Sequence, residues 1–254
     1  MIGLTVMNLR LIPAALILVI VAFAVSSESF AQEKTNVRTE PPASPTQGQG
    51  QQPTGQRRDN KKPADTTRYG YEFTQPDFIV RHIVIEHDAS GRGKITFERK
   101  NEETAIEEPI ELSIGALGKV LGAWQELNFL QSNEDYQSGK QFPHLGTMRL
   151  KMEHDAAKRT AEFNWTDNKI AELLTKEYRR IADQAIFVFD VSVARESQPL
   201  NAPKLMEEFE MQLRLKGFSD PQQLVPLLQD ISTDEHLPLI ARNHALRLIK
   251  KIEG

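Results

Sequence analysis

Apolar and polar positions alternate with period two in two separate stretches of the chain, and each stretch is followed by apolar positions at helical spacing. In the first, Ile83 and Ile85 lead into Glu86-His87-Asp88-Ala89, and Ile95 and Phe97 follow. In the second, Met148, Leu150 and Met152 alternate with Thr147, Arg149, Lys151 and Glu153. They lead into Glu153-His154-Asp155-Ala156, with Ala161 and Phe163 beyond. Such alternation marks half-buried strands, and a polar break between two of them marks a hairpin. The shared tetrapeptide makes the two hairpins an internal repeat. The opening strand of the first hairpin is expected over about 78–86, with Ile79, Ile83 and Ile85 on one face. Helical spacing then links Ile114, Leu117, Leu121 and Trp124 after an N-cap at Ser113, and Ile170, Leu174, Tyr178 and Ile181 after Asp167. The expected fold class is therefore α+β: a tandem ββα repeat forming an antiparallel sheet with helices on one face, followed by an α-helical C-terminal tail.

The stretches between these elements are less regular. Residues 101–111 carry Glu102, Glu103, Glu107, Glu108 and Glu111 and read as a solvated loop; a cation site there would require the carboxylates to converge. Gly115, Gly118 and Gly122 fall on one stripe of the first helix. Each costs about 1 kcal/mol relative to alanine there, which suggests close backbone packing or a partner groove. The connection 129–144 is polar apart from Leu130, Tyr136 and Phe142, and is long enough to leave open which end of the sheet each turn occupies. Residues 185–193 fit either a fifth strand (Phe187, Phe189, Val191, Val193) or a continuation of the second helix (Ala185, Val188, Ser192). With no Gly or Pro before Pro199, one long helix is the expectation.

The domain plan runs 1–31, 32–67, 68–199 and 200–254. Arg10 precedes an unbroken apolar run from Leu11 to Val25, and Ser29 and Ala31 precede Gln32, which is the pattern of a secretory signal peptide. A run of about 15 residues is short for a membrane span. Residues 32–67 are rich in Pro, Gln, Gly, Thr and Ser without apolar periodicity and read as a disordered linker. Residues 68–199 hold the repeat, and 200–254 are expected to pack on it. The tail opens at Pro199 and Pro203 and contains Asp220-Pro221, then Leu227-Leu228, then Pro238-Leu239-Ile240-Ala241-Arg242-Asn243-His244-Ala245 and Leu248. Residues 220–252 so patterned resemble a single HEAT-type helical repeat. The resemblance implies a helix pair that needs neighbours to bury its core, and it assigns no binding residue.

Composition narrows the function. The chain has no cysteine, which excludes disulfides, thiolate metal sites and a cysteine nucleophile. Its net charge of −4 divides into +2 in the 32–67 tract and −6 in the remainder, an unfavourable balance for nucleic acid. No Gly-x-Ser-x-Gly, His-Glu-x-x-His, phosphate loop or dinucleotide fingerprint occurs, and no cofactor is implied. The candidate metal ligands are His87, Asp88, His154 and Asp155, which could share a divalent ion if the two turns met. The plainer account is that each Asp bonds its own turn backbone and each His closes the edge of the core. The expected function is an exported, non-enzymatic binding or interaction domain of the cell envelope, periplasmic or extracellular. Its partner would be an unknown protein or envelope component, with the membrane involved only if the signal segment stays uncleaved. The alternatives are a metal-dependent hydrolase using the paired turns and a purely structural envelope protein.

Overall fold

The computed structural model describes residues 66–254. The signal peptide expected at 1–31 and the linker expected at 32–67 lie outside the described residues, except for Thr66 and Thr67. Thr67 is buried, so the last residue of the tract expected as linker is part of the folded structure.

Six strands form one antiparallel sheet: β1 (Arg68–Thr74), β2 (Val80–Asp88), β3 (Arg92–Arg99), β4 (Ile106–Glu111), β5 (Thr147–His154) and β6 (Ala157–Phe163), in the spatial order β4-β3-β2-β1-β5-β6. The two hairpins expected from sequence are β2-β3 and β5-β6. Two further strands join them in the sheet. β1 lies between the hairpins, with Tyr71 opposite Ile85 on one side and Leu150 on the other. β4 occupies the stretch expected to be an acidic loop, and adds an outer strand to β3. The hairpins also differ in register. Ile85 faces Ile95 in the first, whereas Met152, the residue matched to Ile85, faces Arg159 in the second. The shift is two residues relative to the aligned sequences. It preserves which face each side chain takes and changes every cross-strand partner.

One face of the sheet is apolar. Tyr69, Tyr71, Phe73, Ile83, Ile85, Ile95, Phe97 and Leu150 are buried there against α1 (Ile114–Glu126) and α2 (Lys169–Ser197). Fully burying one such side chain contributes about 1.5–3 kcal/mol, so this face supplies most of the driving force for the unit. The opposite face is a solvated charge ladder, in which Glu72 accepts from Arg149 at 2.9 Å and Lys151 at 2.7 Å. Ile79 departs from its expected inward position: the strand begins at Val80, and Ile79 is 81% exposed.

Ser113 caps α1 as expected, its hydroxyl accepting from the Ala116 N–H. The buried stripe of α1 is Ala116, Val120 and Trp124, with Leu117 and Leu121 half-buried, while Ile114 is exposed. The helix begins beside the first turn, where the Leu112 N–H donates to the Gly91 carbonyl, and brings Trp124 over Tyr69. The connection then runs back along β6. Arg159 donates to the Phe129 carbonyl, the Ser138 N–H to that of Trp165, and Gln75 to that of His144. Phe129 and Tyr136 are buried on this path. β5 therefore starts opposite Thr74, and Arg68 faces both Asp88 and Glu153, so both turns lie at one end of the sheet.

Residues 185–193 are helical. α2 is 29 residues long, about 44 Å, and serves two cores. Its first half carries Leu174, Tyr178 and Ile181 into the sheet core. Its second half carries Phe187 and Val191 into a second core with α3 (Ala202–Leu215), α4 (Val225–Thr233) and α5 (Leu239–Glu253), around Met206, Phe209, Phe218 and Leu228. The buried Glu177 carboxylate ties the two regions together, accepting from Ser219 Oγ at 2.6 Å and Lys119 Nζ at 3.1 Å.

Candidate functional site

The four residues singled out by the repeat stand at the shared end of the sheet, and they meet different fates. His87 points inward and is 1% exposed, stacked on Tyr69 with ring centroids 5.2 Å apart. Its Nδ1 lies 2.8 Å from the Asp88 carbonyl and its Nε2 lies 2.9 Å from the Tyr178 hydroxyl, which is 2.8 Å from Trp124 Nε1. A carbonyl only accepts and an indole N–H only donates. The proton order is thereby fixed: Trp124 donates to Tyr178, Tyr178 to His87 Nε2, and His87 Nδ1 to the backbone. Burial pushes the His87 pKa below and the Tyr178 pKa above the usual values, so both rings stay neutral at physiological pH. Asp88 holds the turn, its Oδ1 accepting from the Ser90 hydroxyl at 2.6 Å and the Ser90 N–H at 2.8 Å. The Ser90 hydroxyl leads in keeping this carboxyl below the usual carboxylate range.

The second turn is open. His154 has a side chain 48% exposed, with Nδ1 2.7 Å from Thr67 Oγ1, and Asp155 accepts from Thr66 Oγ1 at 2.8 Å. β1 separates the two turns, placing the β2 and β5 backbones roughly 10 Å apart. Both ring nitrogens of His87 are engaged, and among the described residues no three His, Cys, Asp or Glu side chains are grouped to hold a metal ion.

The glycine stripe is not a close-packed seam. A Cβ added to Gly118 or Gly122 would meet nothing within 4 Å. These residues floor a groove between α1 and α2 whose cations are already paired, Lys119 and Arg180 with Glu177 and Lys176 with Glu172.

A different site forms under β4. Glu108 faces Ile95, which is fully buried, so alternation places Ile106, Glu108 and Ile110 on the inward face and Glu107, Pro109 and Glu111 on the outward one. No helix covers this edge completely. A groove of about 350 Å³ remains, walled by Ile110, Leu112, Ala116, Ile181, Val188 and Phe189 and closed at one end by the loop before α4. That end is rigid: Gln184 accepts from the Asp220 N–H at 3.0 Å and donates to Gln223 at 2.9 Å, and Gln223 donates to the Glu111 carbonyl at 3.1 Å. Glu108 is half-buried among the lining residues, and among the described residues its carboxylate has no hydrogen bond or ion pair. Reading 101–111 as a loop hides this group. The signal that could have found it is the alternation Ile106, Glu108, Ile110.

Compared with known proteins, the chain matches no family model and no curated sequence. Among the described residues no helix is long and apolar enough to cross a membrane.

Proposed function

We propose that this protein is an exported, non-enzymatic binding domain of the cell envelope, and that it takes its ligand into the groove beneath β4. The observation that carries the reading is the groove itself: a preformed apolar concavity of ligand size, set where the sheet meets the helical tail and held by a closed set of amide hydrogen bonds. The acidic balance of the folded region argues against nucleic acid as the partner. We also keep the two hairpin–helix runs as copies of one ββα unit, supported by their shared Glu-His-Asp-Ala turn, and residues 220–252 as a HEAT-type helix pair supported by their apolar spacing.

Two experiments address this. A neutral environment-sensitive dye such as Nile red should bind the folded protein at one site and lose that site on Val188→Trp, which fills the groove from α2. Unchanged dye binding in a folded Val188→Trp protein would refute the groove as the binding surface. For export, N-terminal sequencing of the mature protein should begin at Gln32, and recovery of a chain starting at Met1 in the membrane fraction would contradict it.

A further inference from the structure

The groove's chemistry narrows what it can hold. Its lining residues include Glu108, on the inward face of β4, and Glu111, and no lysine or arginine. The neighbouring grooves differ: the one between α1 and α2 is lined by Lys119, Lys176 and Arg180, and the one near the end of α2 by Arg99 and Lys204. Arg99, whose guanidinium carbon lies 5.8 Å from the Phe189 ring centroid, is bound to Asp190 and lines that other groove. Glu108 thus lines an apolar groove with no hydrogen bond or ion pair among the described residues, and an incoming ammonium or guanidinium group would give it a charge-assisted hydrogen bond.

The edge also limits how an occupant can enter. Pro109 lacks an N–H and interrupts the outer rim of β4, and Glu107 and Glu111 project on the solvated face, features that oppose an added strand. Entry end-on, apolar portion first, leaves the charged group beside Glu108. The net −6 of the folded region adds long-range attraction for a cation. Resting on the proposed binding function, we infer that the groove beneath β4 selects a small amphipathic cation, with an apolar body against Val188, Phe189 and Ile110 and a single amine or guanidine head on Glu108.

The test is a heteronuclear NMR titration of the protein with 2-phenylethylamine, 2-phenylethanol and 3-phenylpropanoate, which share a ring and differ in charge. The amine should shift the backbone amides of Ile110, Ala116, Ala185 and Val188 and bind about tenfold more tightly than the alcohol, with affinity falling as salt is raised. The carboxylate should bind more weakly than either. Glu108→Gln should reduce the amine to the affinity of the alcohol and leave the alcohol unchanged, while Glu107→Gln, on the outward face, should keep the full preference. Equal binding of amine and alcohol at these amides would overturn the cation selectivity and leave the groove standing as a binding site. No shift at these amides with any of the three would overturn both.

Discussion

The turn end of the sheet and the groove beneath β4 both set polar groups against apolar surface, and they differ in how completely those groups are satisfied. At the turn end, His87, Tyr178 and Trp124 form a chain in which each donor has an acceptor and the last acceptor is backbone. Beneath β4 the Glu108 carboxylate has no partner among the described residues. A closed buried network rigidifies a core and leaves nothing over for a ligand. An unpaired charge in a concavity leaves binding free energy unspent. His87 and Asp88, which look chemical in the sequence, are engaged within the fold, and the unpaired carboxylate lies in a stretch that looks like solvated loop.

The comparison can be broken first at the turn end. A Cβ on Gly93 would collide with the Glu86 carbonyl oxygen and lie 2.6 Å from His87 Cα. Gly93→Ala should thus cost more than about 3 kcal/mol in urea unfolding or prevent folding. Ala157, which stands opposite His154 as Gly93 stands opposite His87, is already alanine, and Ala157→Gly should change stability by less than about 1 kcal/mol. Next in size is His87→Ala, which empties a buried site and leaves the Tyr178 hydroxyl without its acceptor; a loss of about 2–4 kcal/mol is expected. His154→Ala, with the same flanking residues but an exposed ring, should cost less than about 1 kcal/mol. Both proteins, where folded, should bind 2-phenylethylamine as the unaltered chain does.

The pH dependence follows with its sign. Burial lowers the His87 pKa in the folded state, so above the ordinary histidine value of about 6.5 the folded and unfolded chains are both neutral at this ring and its stabilisation is fully present. As pH falls through that value toward the lowered folded pKa, the unfolded chain takes up a proton that the folded chain resists, and stability declines with a slope of at most one proton. Stability measured from pH 8 to pH 5 should show this decline, and His87→Ala should remove it. The smallest effect is expected from Glu108→Gln, a stability change within about 0.5 kcal/mol, because among the described residues its carboxylate has no hydrogen bond or ion pair to lose.

The same contrast explains what the sequence discloses. Strands buried on one face and wet on the other advertise themselves, as Ile83, Ile85, Ile95 and Phe97 do, and so does a capped helix such as α1 from Ser113. β1 carries an equally clear alternation in Tyr69, Tyr71 and Phe73, yet nothing local says that it inserts between two hairpins that follow it in the chain. β4 hides for a physical reason. An edge strand meets water on its rim and on its outer face, and here its inward column also bears Glu108, so only Ile106 and Ile110 remain as apolar markers. The buried stripe of α1 is Ala116, Val120 and Trp124 and leaves Ile114 exposed, a choice of face that the hydrophobicity of Ile114 does not express. His87 and His154 share a tetrapeptide, and the packing of Trp124 and Tyr178, distant in sequence, decides that only one is enclosed.

The most direct measurement is a crystal structure of the protein soaked with 2-phenylethylamine. The account predicts one bound molecule beneath β4, its ring against Val188 and Phe189 and its nitrogen within hydrogen-bond distance of Glu108, with the His87 chain unchanged. A molecule bound instead at the open turn beside His154 and Asp155, with the β4 groove empty, would contradict it.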